Sequence, residues 1–304
     1  MMRRLWLVVQ WALVAAVAWF VVKSVAHNWA EIRDSGSVVH FDLGALAAAA
    51  GIILATYALL IGAWRAVLVG WGERLRYPVA ARIWCLSNLA RYVPGRVWQI
   101  AGMAALAQKA GITPWAAVGS AIIVQLLAIA TGAMVTGLAA PQAEHPMWVA
   151  ASGVIALLAA LTLTWERMTA IFSRWLSAAL GRPFELRPVG KGALLLSAAV
   201  TTLAWLAYGL ALYLCTAALL GRAALDLRTA IGVFTGSYVL GLIAVMTPGG
   251  LGIREGALLF WLTGPLGPAG AVVVTIGSRL LMTAAELLAA LITLPLTTRS
   301  PDGT

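Results

Sequence analysis

Between two long apolar runs, residues 247–256 read Thr-Pro-Gly-Gly-Leu-Gly-Ile-Arg-Glu-Gly. Pro248 with Gly249, Gly250 and Gly252 breaks a helix, and Arg254 with Glu255 sets two opposite charges beside the break. Inside a bilayer, non-helical backbone is tolerated only where protein buries it or it faces a wet cavity. An ionisable residue at that depth marks function by default. The segment therefore demands a fold that shelters it.

That a bilayer is the solvent follows from composition. The 304 residues are 62% hydrophobic and 11% charged, with a mean hydropathy of +0.92, whereas soluble domains carry roughly 25% charged residues. The chain reads as an all-α polytopic membrane protein, a single transmembrane domain over residues 1–304 that leaves no room for a soluble catalytic domain. Its net charge of +10 suits anchoring against anionic lipid. The arginines border apolar runs and form no aromatic-interleaved patch, which argues against nucleic acid. Cys85 and Cys215 lie in apolar runs as small core hydrophobes, and His27, His40 and His145 lack ligand spacing, so neither metal nor cofactor is expected.

Taken in order, Arg3 and Arg4 precede an apolar run from Leu5 to Val22, too long for the core of an ordinary signal peptide and read as a retained first helix. A second span covers about Leu43 to Val69 and ends with Arg65; Arg74, Arg76 and Arg82 then mark a cytoplasmic connector. The apolar segment 83–108 is interrupted by Asn88, Arg91, Pro94, Gly95, Arg96 and Gln99. As one lipid-facing helix it would cost about 3 kcal/mol for each central arginine. A re-entrant hairpin turning at Pro94-Gly95 avoids that cost. Further spans are expected over 115–140, 148–165, 193–220 and 269–296, and a second re-entrant hairpin over 229–263, entering from the opposite side. Arg167, Arg174, Arg182, Arg187 and Lys191 place the loop 166–192 in the cytoplasm. The sum is six full transmembrane helices plus two re-entrant hairpins, with both termini cytoplasmic.

At an offset of 154 residues the two broken segments align: Pro94 with Pro248, Gly95 with Gly249, Gly102 with Gly256, Pro114 with Pro268, and Gln125 with Arg279. Two units, about 43–140 and 193–296, then start on opposite sides and form an inverted repeat. Paired Gly/Pro-interrupted segments in the two halves of a membrane protein point to a midplane substrate site.

The chemistry open to these residues is anion binding. A half-helix starting near Gly252 presents unpaired N–H groups and a positive dipole end, and Arg96, Arg254 and Arg279 offer planar forks for a phosphate. Arg279 and Glu286, seven apart, share a helix face, and Glu255 is placed to pair with Arg279 across the hairpin. The plain alternative is that these charges only neutralise one another and pin the hairpin. Glu255 and Glu286 are the only acidic residues inside the expected spans, and one could relay protons. No nucleophile–base pair and no nucleotide-binding motif appears, so an enzyme is not expected.

Several of these residues carry a resemblance. Trp64-Arg65, Asn88 with Pro94-Gly95-Arg96, the run Pro248-Gly249-Gly250-Leu251-Gly252 with Arg254-Glu255, and Arg279-Leu280 together resemble the lysylphosphatidylglycerol synthase transmembrane-region family, or flippase-like domain family, over nearly the whole chain. Two departures stand out: Gln125-Leu126 replaces the family's acidic residue and arginine, and Val97-Trp98 replaces a Gly-Asp pair. The resemblance implies translocation of a phospholipid or polyprenyl-linked lipid between the leaflets of a bacterial inner membrane. It does not imply lipid aminoacylation, which belongs to a separate soluble domain. The expected partner is a membrane lipid with an anionic or phosphate-bearing head group; a homo-oligomer, and a non-transporting role beside lipid or glycan biosynthesis enzymes, stay open.

Overall fold

The computed structural model describes residues 40–90, 97–139, 189–221, 224–243 and 252–296, with isolated positions between 155 and 178. The expected first helix over 5–22, the span 148–165, most of the loop 166–192, and the turns at Pro94-Gly95-Arg96 and Pro248-Gly249-Gly250 lie outside the described residues.

Among the described residues seven helices follow in order: α1 (Leu43–Gly70), α2 (Tyr77–Leu89), α3 (Val97–Lys109), α4 (Pro114–Ala139), α5 (Lys191–Leu220), α6 (Leu227–Ile243) and α7 (Ile253–Thr293). Four of them, α1, α4, α5 and α7, are long and apolar enough to cross a membrane. Their apolar residues run right round the helix, the pattern of a segment whose solvent is lipid or other protein. At 1.5 Å per residue, α2 and α3 are each about 20 Å long and α6 about 25 Å, short of the ~30 Å hydrocarbon core.

Helix α7 is not one rod. Gly267 has φ 70 and ψ 167, inside a stretch that also holds Pro265 and Pro268. That conformation is essentially closed to residues with a Cβ. The chain folds back there into a first arm, 253–266, and a second, 268–293, and the contact of Glu255 with Arg279, each twelve residues from the turn, proves the arms antiparallel.

Local chemistry sets the other ends. Asp42 caps α1 by accepting from the Ala45 N–H at 3.1 Å, and Gly72 at φ 82 closes its far end. Proline stands in the first turn of α2, where its missing N–H costs nothing. Gly111 and Gly221, with φ 81 and φ 100, stop α3 and α5. Asp226 caps α6 through the Thr229 N–H at 2.9 Å.

The most extensive packing joins α1 to α5. These two run antiparallel: the His40 N–H donates to the Leu219 carbonyl at 2.9 Å and the Asp42 N–H to that of Ala218 at 3.2 Å, while Gly70 at the far end of α1 lies against Val189 and Ala193. Elsewhere small residues let helices approach. Gly209 of α5 meets the Ile231 backbone of α6, and Gly132 of α4 accepts the Trp205 ring and Val239. Lipid tails are as apolar as leucine, so close van der Waals contact of this kind holds membrane helices together.

Shifting the first four helices by 154 residues brings α1 onto α5, α2 onto α6, α3 onto the first arm of α7 and α4 onto the second. The last match is the tightest: Pro114–Ala139 lands on 268–293. The packing follows the same shift. α4 packs on α6 as α7 does on α2, α5 on α6 as α1 on α2, and α4 on α5 as α7 on α1.

Candidate functional site

The first arm of α7 begins beside the glycine-rich break, and its N-terminus is where the charges gather. Gly252, at φ 88, is the N-cap, and Glu255 three residues on returns its carboxylate to the Gly252 N–H (Oε2, 2.8 Å). The other oxygen, Oε1, accepts from Arg279 Nη1 at 2.9 Å across the hairpin. The side chains are 16% and 23% exposed for Arg279 and Glu255 respectively. One carboxylate thus satisfies an orphan helix donor and a guanidinium together. The expected pairing of Glu255 with Arg279 is present, and it carries a consequence: this helix N-terminus already holds an anion, one supplied by the chain itself.

Arg254 points the other way. It is 4% exposed, with its guanidinium 4.9 Å from the Tyr238 ring centroid and 5.3 Å from that of Phe234, and Nη2 donates to the Met282 thioether at 3.0 Å. Desolvated cation–π contacts of this kind are worth about 2 kcal/mol. Phe234 and Tyr238 are four apart on α6, hence on one face, and their rings stack at 5.8 Å. Tyr208 stacks on Phe234 at 5.5 Å, and Trp205 meets Tyr238 edge-on at 5.4 Å.

The second arm presents the matching stripe. Arg279, Met282 and Glu286 fall at i, i+3 and i+7, one face of the helix. Arg279 carries Glu255, Met282 carries Arg254, and Glu286, 5% exposed, accepts from the Tyr57 hydroxyl of α1 at 3.0 Å. Tyr57 in turn meets Tyr208 edge-on at 6.3 Å. A continuous aromatic chain therefore runs from the partner of Glu286 to the cage of Arg254. These aromatics and Met282 were not among the residues expected from the sequence. The signal that could have found them is the spacing of Phe234 and Tyr238 on an otherwise aliphatic and small-residue helix.

Other candidates lie elsewhere. Asn88 accepts from Gln99 Nε2 at 2.7 Å, tying α2 to α3. Arg65 donates from Nε to the Leu75 carbonyl, fastening the end of α1 to the loop that follows it. Gln125, the offset partner of Arg279, is exposed on α4. The offset that matched the helices does not match these two side chains: one is exposed, the other is held by Glu255. Pro94, Gly95, Arg96, Pro248, Gly249 and Gly250 lie outside the described residues, and so does any meeting of the two turns. Cys85 and Cys215 are both buried and free.

The charges around the bundle are unevenly shared. Arg74, Arg76, Arg82, Lys109 and Lys191, with Glu73, stand at the end where α1 and α3 finish and α2 and α5 begin; Asp42, Asp226 and Arg228 stand at the other end. A small hollow lined by Ile53, Tyr208, Phe234, Ser278 and Met282 beside the Arg254 cage has room for about one water molecule.

A family model described as the lysylphosphatidylglycerol synthase TM region matches residues 7–290. No curated protein and no solved structure matches the chain.

Proposed function

Because the chain belongs to the lysylphosphatidylglycerol synthase transmembrane-region family, and so is a multi-pass membrane protein related to lipid metabolism, we propose that it carries the phosphate-bearing head group of a membrane lipid between leaflets. The observation that carries this reading is the Arg279–Glu255 pair at the N-terminus of a helix that begins beside a Pro-Gly-Gly break. Such an N-terminus is a natural anion site. A lipid phosphate there would share or replace the contacts that the Glu255 carboxylate makes with Arg279 and the Gly252 N–H.

The two sets of four helices are, on this reading, an inverted repeat of units 43–140 and 193–296. The matched helix boundaries and the antiparallel α1 and α5 support it. The pairs α2/α3 and α6/first arm of α7 are then two re-entrant hairpins, entering from opposite faces, beside six full spans. The basic end with Arg74, Arg76 and Lys109 faces the cytoplasm of a bacterial cell under the positive-inside rule. The sequence holds no nucleotide-binding motif, so the driving force is a gradient or a partner.

One observation favours a second reading. The Glu255 carboxylate already satisfies Arg279 and the Gly252 N–H, and charges paired within the chain suit a non-transporting subunit that holds lipid or glycan biosynthesis enzymes in place. Vesicles reconstituted with the purified protein and a fluorescent phosphatidylglycerol separate the two. The transporter reading expects exchange between leaflets in the wild type and its loss, about 100-fold or more, in Arg279→Ala, since a charge-assisted contact of about 3 kcal/mol to the phosphate goes with it. Absent exchange in the wild type, with a stoichiometric enzyme partner after mild solubilisation, selects the subunit.

A further inference from the structure

The carboxyl of Glu286 is used by none of the contacts assigned to the head group, yet it lies within the second arm, seven residues from its end at Thr293 and 5% exposed, on the stripe that carries Arg279 and Met282. We propose that Glu286, with Tyr57, is a proton-binding site, and that its protonation is coupled to anion binding at Arg254 and Arg279. The coupling rests on the lipid-transport reading; the proton site does not.

A carboxyl out of water carries its charge only against a penalty that a proton removes. Acidic residues in membrane spans are rare, and chains of them form the proton relays of pumps and transporters. Glu286 has the one feature a relay needs beyond burial, a hydroxyl partner on a different helix: the Tyr57 O–H donates to Oε1 at 3.0 Å. The carboxylate takes up its proton from water on the face of higher proton activity and returns it on the other.

Two physical routes link the site to the cations. The first is electrostatic. Glu286 lies one turn from Met282, where the Arg254 guanidinium rests, and two turns from Arg279. A negative Glu286 shares their positive field with an incoming phosphate and opposes it, and a neutral one does not. Proton and anion therefore bind together, each raising the affinity for the other by the same factor. The second is packing. Tyr57 contacts Tyr208, which stacks on Phe234 beneath Arg254, so a shift of Tyr57 on protonation is felt at the cage. Among the described residues, the charged and titratable groups linked to Glu286 through the contacts above are Tyr57 of α1, Tyr208 of α5, Tyr238 of α6, Arg254 and Glu255 of the first arm and Arg279 of its own, with Cys85 of α2 near Thr293 at the far end. The corresponding position in the first set of helices is Gly132, packed against Trp205, so that set has no counterpart of the carboxyl.

Two measurements on the intact protein test this. In pH-difference infrared spectra of detergent-purified protein, the expected result is a carboxyl band that disappears in Glu286→Gln and shifts in Tyr57→Phe, while Glu286→Asp retains it. In vesicles containing fluorescent phosphatidylglycerol, a proton gradient should speed wild-type exchange about tenfold and leave Glu286→Gln indifferent. A carboxyl band unchanged in Glu286→Gln overturns the proton site. Should Glu286→Gln fail to fold, Tyr57→Phe decides in its place: a shifted band supports the proton site and an unshifted one overturns it. Exchange that ignores the gradient in the wild type overturns the coupling and leaves lipid transport standing. A band that follows Glu286 with no exchange in any protein supports the proton site and removes lipid transport instead.

Discussion

Two short helix pairs, α2/α3 and α6/first arm of α7, occupy matching places under the 154-residue offset and are held together by opposite means. Asn88 and Gln99 join the first pair through one neutral amide bond. In the second, Arg254 of the first arm sits in the aromatic cage of α6, and Glu255 beside it ties the first arm to Arg279 of the second. At the matching positions the first pair has Ile100 for Arg254, Ala101 for Glu255 and Ala80 for Phe234. A neutral bond of about 1 kcal/mol is enough to fasten two short helices. Buried charges are an expensive way to do the same work, and apolar side chains often replace such pairs without loss of stability. At the matching positions of the first pair no ionisable residue stands in place of Arg254 or Glu255, which points to a task other than fastening in the second half of the chain.

That contrast can be broken most directly by removing both fastenings cleanly. Replacing Glu255 and Arg279 together by leucine leaves no orphaned charge, so stability should stay within about 2 kcal/mol, while lipid exchange falls about 100-fold or more. The same double replacement at Asn88 and Gln99 should cost about 1 kcal/mol and keep exchange within about tenfold. Thermal unfolding in detergent, read beside vesicle exchange, decides. Equal losses of exchange in the two doubles would erase the asymmetry.

A smaller effect sharpens the comparison at the level of packing. A Cβ at Gly209 would fall 2.4 Å from the Ile231 Cα, whereas one at Gly51 in α1 meets nothing within 4 Å. Gly209→Ala should therefore destabilise by about 1–3 kcal/mol through overpacking of α5 on α6. Gly51→Ala should be neutral or stabilising by up to about 1 kcal/mol, since it gains helix propensity without a clash. Unfolding midpoints of the two variants check this.

The smallest expected effect is at the rim. The Thr229 hydroxyl and N–H hold the Asp226 carboxyl below its ordinary value. A depressed folded-state value means that the stabilisation is complete above the unfolded-state value near pH 4. It is lost as pH falls through the folded-state value. Asp226→Ala should cost about 1 kcal/mol near neutral pH, and the gap from wild type should close on acidification. A gap constant with pH would show that the cap acts without its charge.

How much of this was legible in the residues differs between fold and site. The helices of both sets were readable because apolar runs and breakers are local. The expected span 193–220 is Lys191–Leu220 in the structure, and 115–140 is Pro114–Ala139. The first broken segment starts earlier than expected, at Tyr77, since Pro78 opens a helix where polarity alone suggested a loop. Glu255 with Arg279 was legible too, because two opposite charges in oil have few other places to go. Gln125 stands exposed on α4 while its offset partner Arg279 is held by Glu255, because an offset predicts where a backbone runs and not which way a side chain faces.

What the amino-acid order determined by itself was the solvent, the lengths and breaks of the helices, and the need of each buried charge for a partner. These depend on transfer from water and on backbone geometry, which act within a few residues. The choice of partner came only with the tertiary fold. Tyr57 reaches Glu286 across 229 residues of chain, and Met282 meets Arg254 because Gly267 folds α7 back on itself. Which tyrosine among several, or which face of α6, closes on a buried cation is decided by how whole helices cross.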